Sequence, residues 1–341
     1  MIVAALSAAY GAVATWRRRW YAGNPSRRVH LSQPVISVGN LRVGGSGKTP
    51  ATACIAALLL DRGERPVILS RGYARQHASA DVTVVSNRSR VLADVAHAGD
   101  EPLLLAQSLP GVPVLVCADR HRAGLVAETQ FEATVHVLDD GFQHVKLARD
   151  IDILLADESD LADRVLPGGR LREPLANASL AHAVIVPGLD GPAARSIARQ
   201  LGVADAFTMT RALGPATTLS GSLPLAPDAP VLAVAGIARP ERFFDDLRAS
   251  GVRLAGTHSF PDHHHFTSRD IAAIVDFARG AGATGVVVTE KDAVRLTGMD
   301  LSALPFAAVP LLARIEPADV FARWLAERLA RARASRSPAG S

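Results

Sequence analysis

The chain has 341 residues, of which 48% are hydrophobic, 21% charged and 5% aromatic, with a formal net charge of +4. That is enough apolar material for two ordinary domains, and a charge this small, mixed evenly with acids, does not mark a nucleic-acid groove. The two cysteines, Cys54 and Cys117, sit in apolar stretches, which excludes a disulfide-stapled secreted fold and fits reduced, buried thiols.

Residues 2–15 are apolar or small, and Trp16-Arg17-Arg18-Arg19-Trp20-Tyr21 follows. The run is shorter than the roughly 18 residues of a spanning helix. Its positive charge comes after the apolar part, the reverse of a secretory signal. Ile2, Leu6, Ala9, Val13, Trp16 and Trp20 recur at spacings of four and three, which predicts one helical stripe with Arg18 and Arg19 turned away from it. Such a helix suits a lipid interface, with tryptophans at headgroup depth and arginines toward anionic heads. A helix packed on its own domain is the alternative.

Next, strands are predicted at residues 35–38, 67–69, 82–85, 114–116, 135–138, 151–155 and 184–186. Helices are predicted at 49–60 and 102–108. Short Val/Ile/Leu runs alternating with helices indicate an α/β fold with a parallel sheet covered on both faces. Thr, Gly, Pro and Ser collect over residues 206–227, read as an extended β linker. A second, smaller α/β block follows at 228–333, with strands at 231–235, 252–256, 286–289 and 309–313 and helices at 241–250, 268–279 and about 317–332. The domain expectation is therefore a surface helix at 1–22, a first domain at 23–205, the linker, the second domain, and a small polar tail at 334–341 expected to be disordered.

Gly39-Asn40-Leu41-Arg42-Val43-Gly44-Gly45-Ser46-Gly47-Lys48-Thr49 lies between a predicted strand and a predicted helix, the context of a phosphate-binding loop. Gly44, Gly45, Ser46 and Gly47 let backbone N–H groups turn toward phosphate oxygens at a helix N-terminus. Lys48 is positioned for the β- and γ-phosphates of ATP and the Thr49 hydroxyl for Mg2+. A strict Walker loop has glycine where this chain has Arg42, so the first turn of the loop must enter differently. The apolar run 135–138 ends in Asp139-Asp140-Gly141, two carboxylates at a strand end, which suit a divalent cation. A plain surface turn is the bland reading of the same three residues.

Guanine recognition is disfavoured, because Thr289-Glu290-Lys291-Asp292 lacks the Asn of an Asn-Lys-x-Asp segment. In Gly99-Asp100-Glu101-Pro102 an acid caps the coming helix, or Asp100 is a base for an acceptor hydroxyl; local sequence leaves both open. Among His263, His264 and His265 adjacent side chains diverge, so one functional imidazole fits better than a metal site; a solvated loop with an incidental histidine run is the alternative. Arg71, Arg120, Arg170 and Arg172 fall at predicted turns, as guanidinium forks for phosphate do.

Together these segments resemble the tetraacyldisaccharide 4′-kinase family. The resembling motifs are Gly39–Pro50, Ser70–Tyr73, Gly99–Pro102, Asp139–His144, Leu166–Pro174, the Asp262–His263 pair and Thr289–Val294, in register over most of the chain, and the family shares the missing Walker glycine. The resemblance implies a P-loop NTPase-type sandwich and a second α/β/α domain. It implies ATP- and Mg2+-dependent transfer of the γ-phosphate to the 4′-hydroxyl of a tetraacylated glucosamine disaccharide 1-phosphate. Asp100 takes the position of the base, supported by His263; Thr49, Asp139 and Asp140 take the metal positions. Glu101, Gln143 and the four arginines are expected to contact substrate. Residues 1–21 are expected to dock a monomer on the cytoplasmic face of the inner membrane, with no nucleic-acid partner. The rival readings are an ATPase or metallochaperone-type switch without a lipid acceptor, which predicts hydrolysis alone, and a non-catalytic nucleotide-binding membrane adaptor.

Overall fold

The computed structural model describes residues 1–44, 47–72, 75, 77 and 79–336. The chain divides into two compact units, one of Met1–Thr210 with the closing segment from Ala313, the other of Arg211–Leu312. No described helix is long and apolar enough to cross a membrane.

The first unit opens with α1 (Ile2–Gly23) and alternates thereafter: β1 (Val35–Asn40), α2 (Lys48–Asp61), β2 (Pro66–Ser70), β3 (Thr83–Ser86), α3 (Val95–Ala98), α4 (Asp100–Ser108), β4 (Val114–Val116) and α5 (Arg120–Phe131). It continues through β5 (Val135–Asp139), β6 (Ile151–Leu155), β7 (Ala183–Pro187), α6 (Gly191–Leu201) and β8 (Asp205–Leu213). The second unit contains β9 (Thr217–Thr218), β10 (Val231–Ala235), α7 (Pro240–Ala249), β11 (Leu254–Ser259), α8 (Ser268–Gly280), β12 (Gly285–Thr289), α9 (Glu290–Arg295) and β13 (Phe306–Val309). The chain then returns to the first unit along β14 (Leu311–Glu316) and α10 (Ala318–Ala334).

The nine-stranded sheet has the order β14-β8-β7-β6-β1-β5-β2-β4-β3. From β8 to β4 every neighbouring pair is parallel, and β3 joins β4 antiparallel. β1, β2, β5 and β6 are buried along their whole length. Their unbroken apolar runs suit a sheet with helices on both faces, where neither side meets water. The order reverses at β1, with β5 and β2 on one side and β6 and β7 on the other, so a crevice opens at its carboxyl end. In the second unit the order is β11-β10-β12-β13-β9, parallel except for β9 on β13.

Three expectations change. Residues 205–213 form a strand paired with β7 rather than the start of a linker; only Thr217–Thr218 of the expected linker makes a further short strand. The predicted strand at 309–313 is two strands, parted at Pro310, which has no N–H to give a ladder. The last helix belongs to the first unit. Phe321 and Trp324 pack edge-on against Phe207 at 4.9 and 5.5 Å, and Trp324 Nε1 donates to Asp205 at 2.7 Å. At its far end Arg336 pairs with Asp150 and donates to the carbonyls of Leu31 and Gln33 at the entry to β1. Residues 337–341 of the expected tail lie outside the described residues.

In α1 the stripe of Ile2, Leu6, Val13, Trp16 and Trp20 is exposed, while Gly11 and Arg18 are buried. Arg18 does turn away from the stripe, but it turns into the protein rather than toward solvent. Its Nε and one Nη reach the two oxygens of Glu173, each at 2.7 Å, and the same Nη donates to the Phe142 carbonyl at 2.8 Å. The guanidinium also stacks 4.2 Å over the Phe142 ring.

Candidate active site

Asp139 stands at the end of β5 directly beside β1, in register with Val38. The two segments approach so closely that a Cβ on Gly39 would come within 2.5 Å of Phe142 Cβ, so no other residue fits there. After β1 the chain runs through the glycine loop to α2, whose N-cap is Gly47 at φ +84° and carries no side-chain cap bond. The first-turn N–H groups of α2 thus keep their donors available for phosphate oxygens. Gly44 has φ +96°, which disfavours any side chain. Gly45 and Ser46 of the expected cradle lie outside the described residues, as does Tyr73.

Lys48 Nζ donates to Asn40 Oδ1 at 3.1 Å and lies 3.8 Å from Asp140 Oδ1. Thr49 is half-buried in the same turn. One turn on, Thr52 Oγ1 donates to Asp139 Oδ1 at 3.1 Å. Arg172 grips Asp140 with both Nη atoms, at 2.7 and 2.8 Å, and donates to the Asn40 carbonyl at 3.0 Å. Gln143 Nε2 reaches the same carbonyl at 3.0 Å. Lys48, Asp139, Asp140, Gln143 and Arg172, singled out from sequence, are therefore brought together, with Asn40 as the common partner of Lys48, Gln143 and Arg172. Asn40 and Thr52 were not singled out as site residues. Their signals are a polar residue ending an apolar strand and a second hydroxyl three positions after Thr49.

The two adjacent carboxylates are driven apart in proton affinity. Burial, then Glu101 and Asp140, push Asp139 up to about 7, against the smaller pull of Lys48 and Thr52. Burial would raise Asp140 too, but Arg172, Lys48 and Arg120 outweigh it and hold Asp140 below the usual carboxylate range. Asp139 thus has more negative charge around it than its neighbours balance, the condition a divalent cation relieves. Among the described residues no set of three or more His, Cys, Asp or Glu could hold a metal by itself. A carboxylate pair beside a threonine fits a site that nucleotide phosphates and water complete.

Asp100 is the first residue of α4 and is buried; the N-cap is Gly99, and no side chain caps the helix. That removes the capping explanation for Asp100. Glu101 follows it, half-buried and close enough to Asp139 to raise its proton affinity. Arg120, expected at a turn, is the first residue of α5, capped by Asp119. It is 4% exposed, and burial with the nearby charge of Arg71 lowers its pKa to about 10. Arg71 is exposed, before Gly72 at φ +67°. Arg170 is exposed and pairs with Asp163 at 3.3 Å.

Four buried polar atoms here have no hydrogen-bond partner among the described residues: Asn40 Nδ2, Arg120 Nε, Gln143 Oε1 and Arg172 Nε. Orphaned groups collected around one lysine and two carboxylates are the mark of a polar ligand site.

Arg42 resolves the odd first turn of the loop. Its side chain is 2% exposed, donates to Ser159 Oγ at 3.0 Å and pairs with Asp160 at 3.1 Å and Asp157 at 3.8 Å. The backbone beside it bridges antiparallel to Leu171, with Val43 N donating to Arg170 O at 2.8 Å and Arg172 N to Leu41 O at 2.6 Å.

In the second unit His263 has φ +61°, and its ring lies 3.4 Å from Lys291 Nζ on one side and 3.4 Å from an Arg295 Nη on the other. Lys291 also reaches Asp262 at 3.5 Å. Thr289 caps α9 and bonds Asp292, so the Thr-Glu-Lys-Asp segment is a helix start. His264 is committed to Asp270 at 3.2 Å and stacks on Phe260, and His265 is exposed.

The family model described as tetraacyldisaccharide-1-P 4′-kinase matches residues 1–330. The chain is 39% identical over 328 residues to the tetraacyldisaccharide 4′-kinase of Geobacter metallireducens, covering 93% of this chain and 94% of that one. It is 40% identical over 301 residues to the one from Anaeromyxobacter sp. strain K, covering 85% and 79%. Its structure resembles that of LpxK from Aquifex aeolicus in complex with ATP, with a TM-score of 0.76 at 32% identity, over 96% of this chain and all of that chain.

Proposed function

Because this chain belongs to the tetraacyldisaccharide-1-P 4′-kinase family, we propose that the glycine loop and its carboxylates carry out that family's phosphoryl transfer. The protein uses ATP to phosphorylate the 4′-hydroxyl of a lipid A precursor, a tetraacyldisaccharide 1-phosphate, to the 1,4′-bisphosphate. The observation that carries the site assignment is the convergence of Lys48 and Arg172 on Asn40 and Asp140, with Asp139 next to them in sequence and held by Thr52, at the mouth of an uncapped helix.

In this reading the N–H groups of α2 and Lys48 bind the β- and γ-phosphates. Thr49, Asp139 and Asp140 are the residues that would hold Mg2+, and Arg172 keeps Asp140 oriented through its two Nη atoms. Magnesium supplies charge neutralisation on the phosphates. Arg172 is held in place to meet charge on the transferred group, and the transfer, being loose, rests on such placement. Asp100, buried at the first residue of α4, accepts the proton of the acceptor hydroxyl. Arg71, Arg120, Gln143 and Glu101 frame the acceptor headgroup, and Arg170, exposed beside Asp163, is kept as a further contact for it. His263 is retained as a contributor to turnover on the strength of its Asp-His motif.

The exposed stripe of α1, with Arg17 and Arg19 also exposed, supports docking on an anionic bilayer surface, the cytoplasmic face of the inner membrane. An acceptor whose acyl chains stay in lipid requires an enzyme that works there. The test is incubation with labelled ATP and a disaccharide 1-phosphate lipid. A doubly phosphorylated lipid is expected; ATP hydrolysis without a labelled lipid would overturn the reading.

A further inference from the structure

The excursion between β6 and the 3-10 turn Leu175–Leu180 carries Arg172, and both of its ends meet one residue of the glycine loop. At its start, Asp157, Ser159 and Asp160 surround the Arg42 guanidinium; at its end, residues 170–172 pair with the backbone of residues 41–43. Arg172 then reaches back to the Asn40 carbonyl and to Asp140. The far end of the excursion has a second buried tie, the ion pair of Glu173 with Arg18, whereas its start is tied by Arg42; Arg170 pairs within it, to Asp163.

We propose that Arg42 is a positioning residue for phosphoryl transfer, a buried side-chain staple that fixes the Arg172 excursion to the entry of the phosphate loop. The inference rests on the role assigned above to Arg172. A fully desolvated ion pair is a poor source of stability, because burying the charges offsets most of their attraction. It holds geometry instead: the guanidinium fork meets Ser159 and Asp160 at once and fixes their direction. A glycine at this position, as a strict Walker loop has, would take the guanidinium away from Asp160 and Ser159 and loosen the start of the excursion. Arg172 would then be held by backbone pairing and the Arg18–Glu173 pair beside it, without the tie at the start of the excursion. Loss of placement of the order of 1 Å is enough to cost about a hundredfold in rate.

The test uses the full chain with Arg42→Met and Asp160→Asn together. These replacements keep the volume, and the amide oxygen can still accept from Asp157 N, so the change removes the ion pair without stranding a buried charge. Turnover is measured per nucleotide-binding site, titrated with a non-hydrolysable ATP analogue, so any misfolded fraction drops out. The expected result is kcat at least tenfold lower, with KM for ATP within about threefold of the parent. Arg42→Lys, which keeps the charge but not the fork, should fall between the two. Parent-level kcat per binding site in the double variant overturns the inference, whatever happens to the melting temperature. Arg172→Ala run alongside separates the two levels. If that variant keeps full turnover, the assignment of Arg172 fails; if it is inactive while the double variant is not, only the role of Arg42 fails.

Discussion

Arg18 and Glu173 form a two-point ion pair at 2.7 Å on each arm, with both side chains 5% exposed. The pair joins α1 to the residue immediately after Arg172, and Asn177 Nδ2 completes it on the Glu173 side at 2.9 Å. Removing one partner strands the other in a desolvated pocket. Arg18→Ala should therefore cost on the order of 3–5 kcal/mol of stability, read by chemical denaturation. An unchanged midpoint would show that the pair is not buried in solution.

The same pair decides how membrane docking must be tested. Deleting residues 1–21 would remove Arg18 along with the apolar stripe and confuse docking with folding. Leu6→Ser with Trp16→Ser alters only exposed positions. The expected outcome is loss of sedimentation with anionic vesicles while the melting temperature moves little. Full sedimentation of this variant would remove α1 as the docking element.

Asp139 gives the nucleotide-free protein a pH dependence of definite sign. Its folded pKa, about 7, lies above its ordinary 3.8. Between those values the folded state binds more protons than the unfolded one, so this group's contribution to stability declines as pH rises from about 4 to about 7 and is flat beyond. Asp139→Asn should remove that slope in denaturation midpoints measured across the range, and should gain most over the parent near pH 8. A slope equally steep in the variant would show that other groups set it.

Asp100→Asn preserves volume and leaves α4 without any lost cap, because Gly99 is the N-cap. Nucleotide affinity should stay near the parent value while kcat drops roughly 10²- to 10⁴-fold. Equal turnover in the lipid-phosphorylation assay would take Asp100 out of the mechanism.

Thr52 donates to the carboxylate that burial has already made hard to ionise. Thr52→Val keeps the shape and removes the donor, so Asp139 should rise further and the acid limb of the pH–rate profile should move to higher pH. A profile superimposable on the parent's would mean that the contact does not tune Asp139.

The glycine loop and the Asp139–Asp140 turn could be read from sequence because their meaning is local: strand, loop and helix follow within fifteen residues, and an apolar strand ends in acids. The partners of Arg18 and Arg42 and the return of α10 to the first unit could not. Arg18 meets Glu173 across 155 positions and Arg42 meets Asp160 across 118, and nothing in the neighbouring residues names such partners. The spacing of the α1 stripe did say which face is apolar, and that face is exposed. It could not say that one arginine on the other face is internal. Asp100 shows the opposite limit: Pro102 correctly marked a helix start, but whether the acid or the glycine before it forms the cap depends on φ at Gly99, +84°.

The edge strand β14 and helix α10 come from the end of the chain, yet the sheet they complete begins near residue 35. On the ribosome, the catalytic unit therefore waits, with the outer edge of β8 unsatisfied, while the whole inserted unit is made. Only when the final helix emerges can Phe321 and Trp324 cover Phe207 and Arg336 close on Asp150. An open strand edge is the kind of surface that nascent chains use to aggregate. Premature termination between residues 213 and 311 would thus yield a polypeptide that contains every residue assigned to phosphate and metal but lacks the strand that caps the sheet, a natural substrate for chaperones and quality-control proteases.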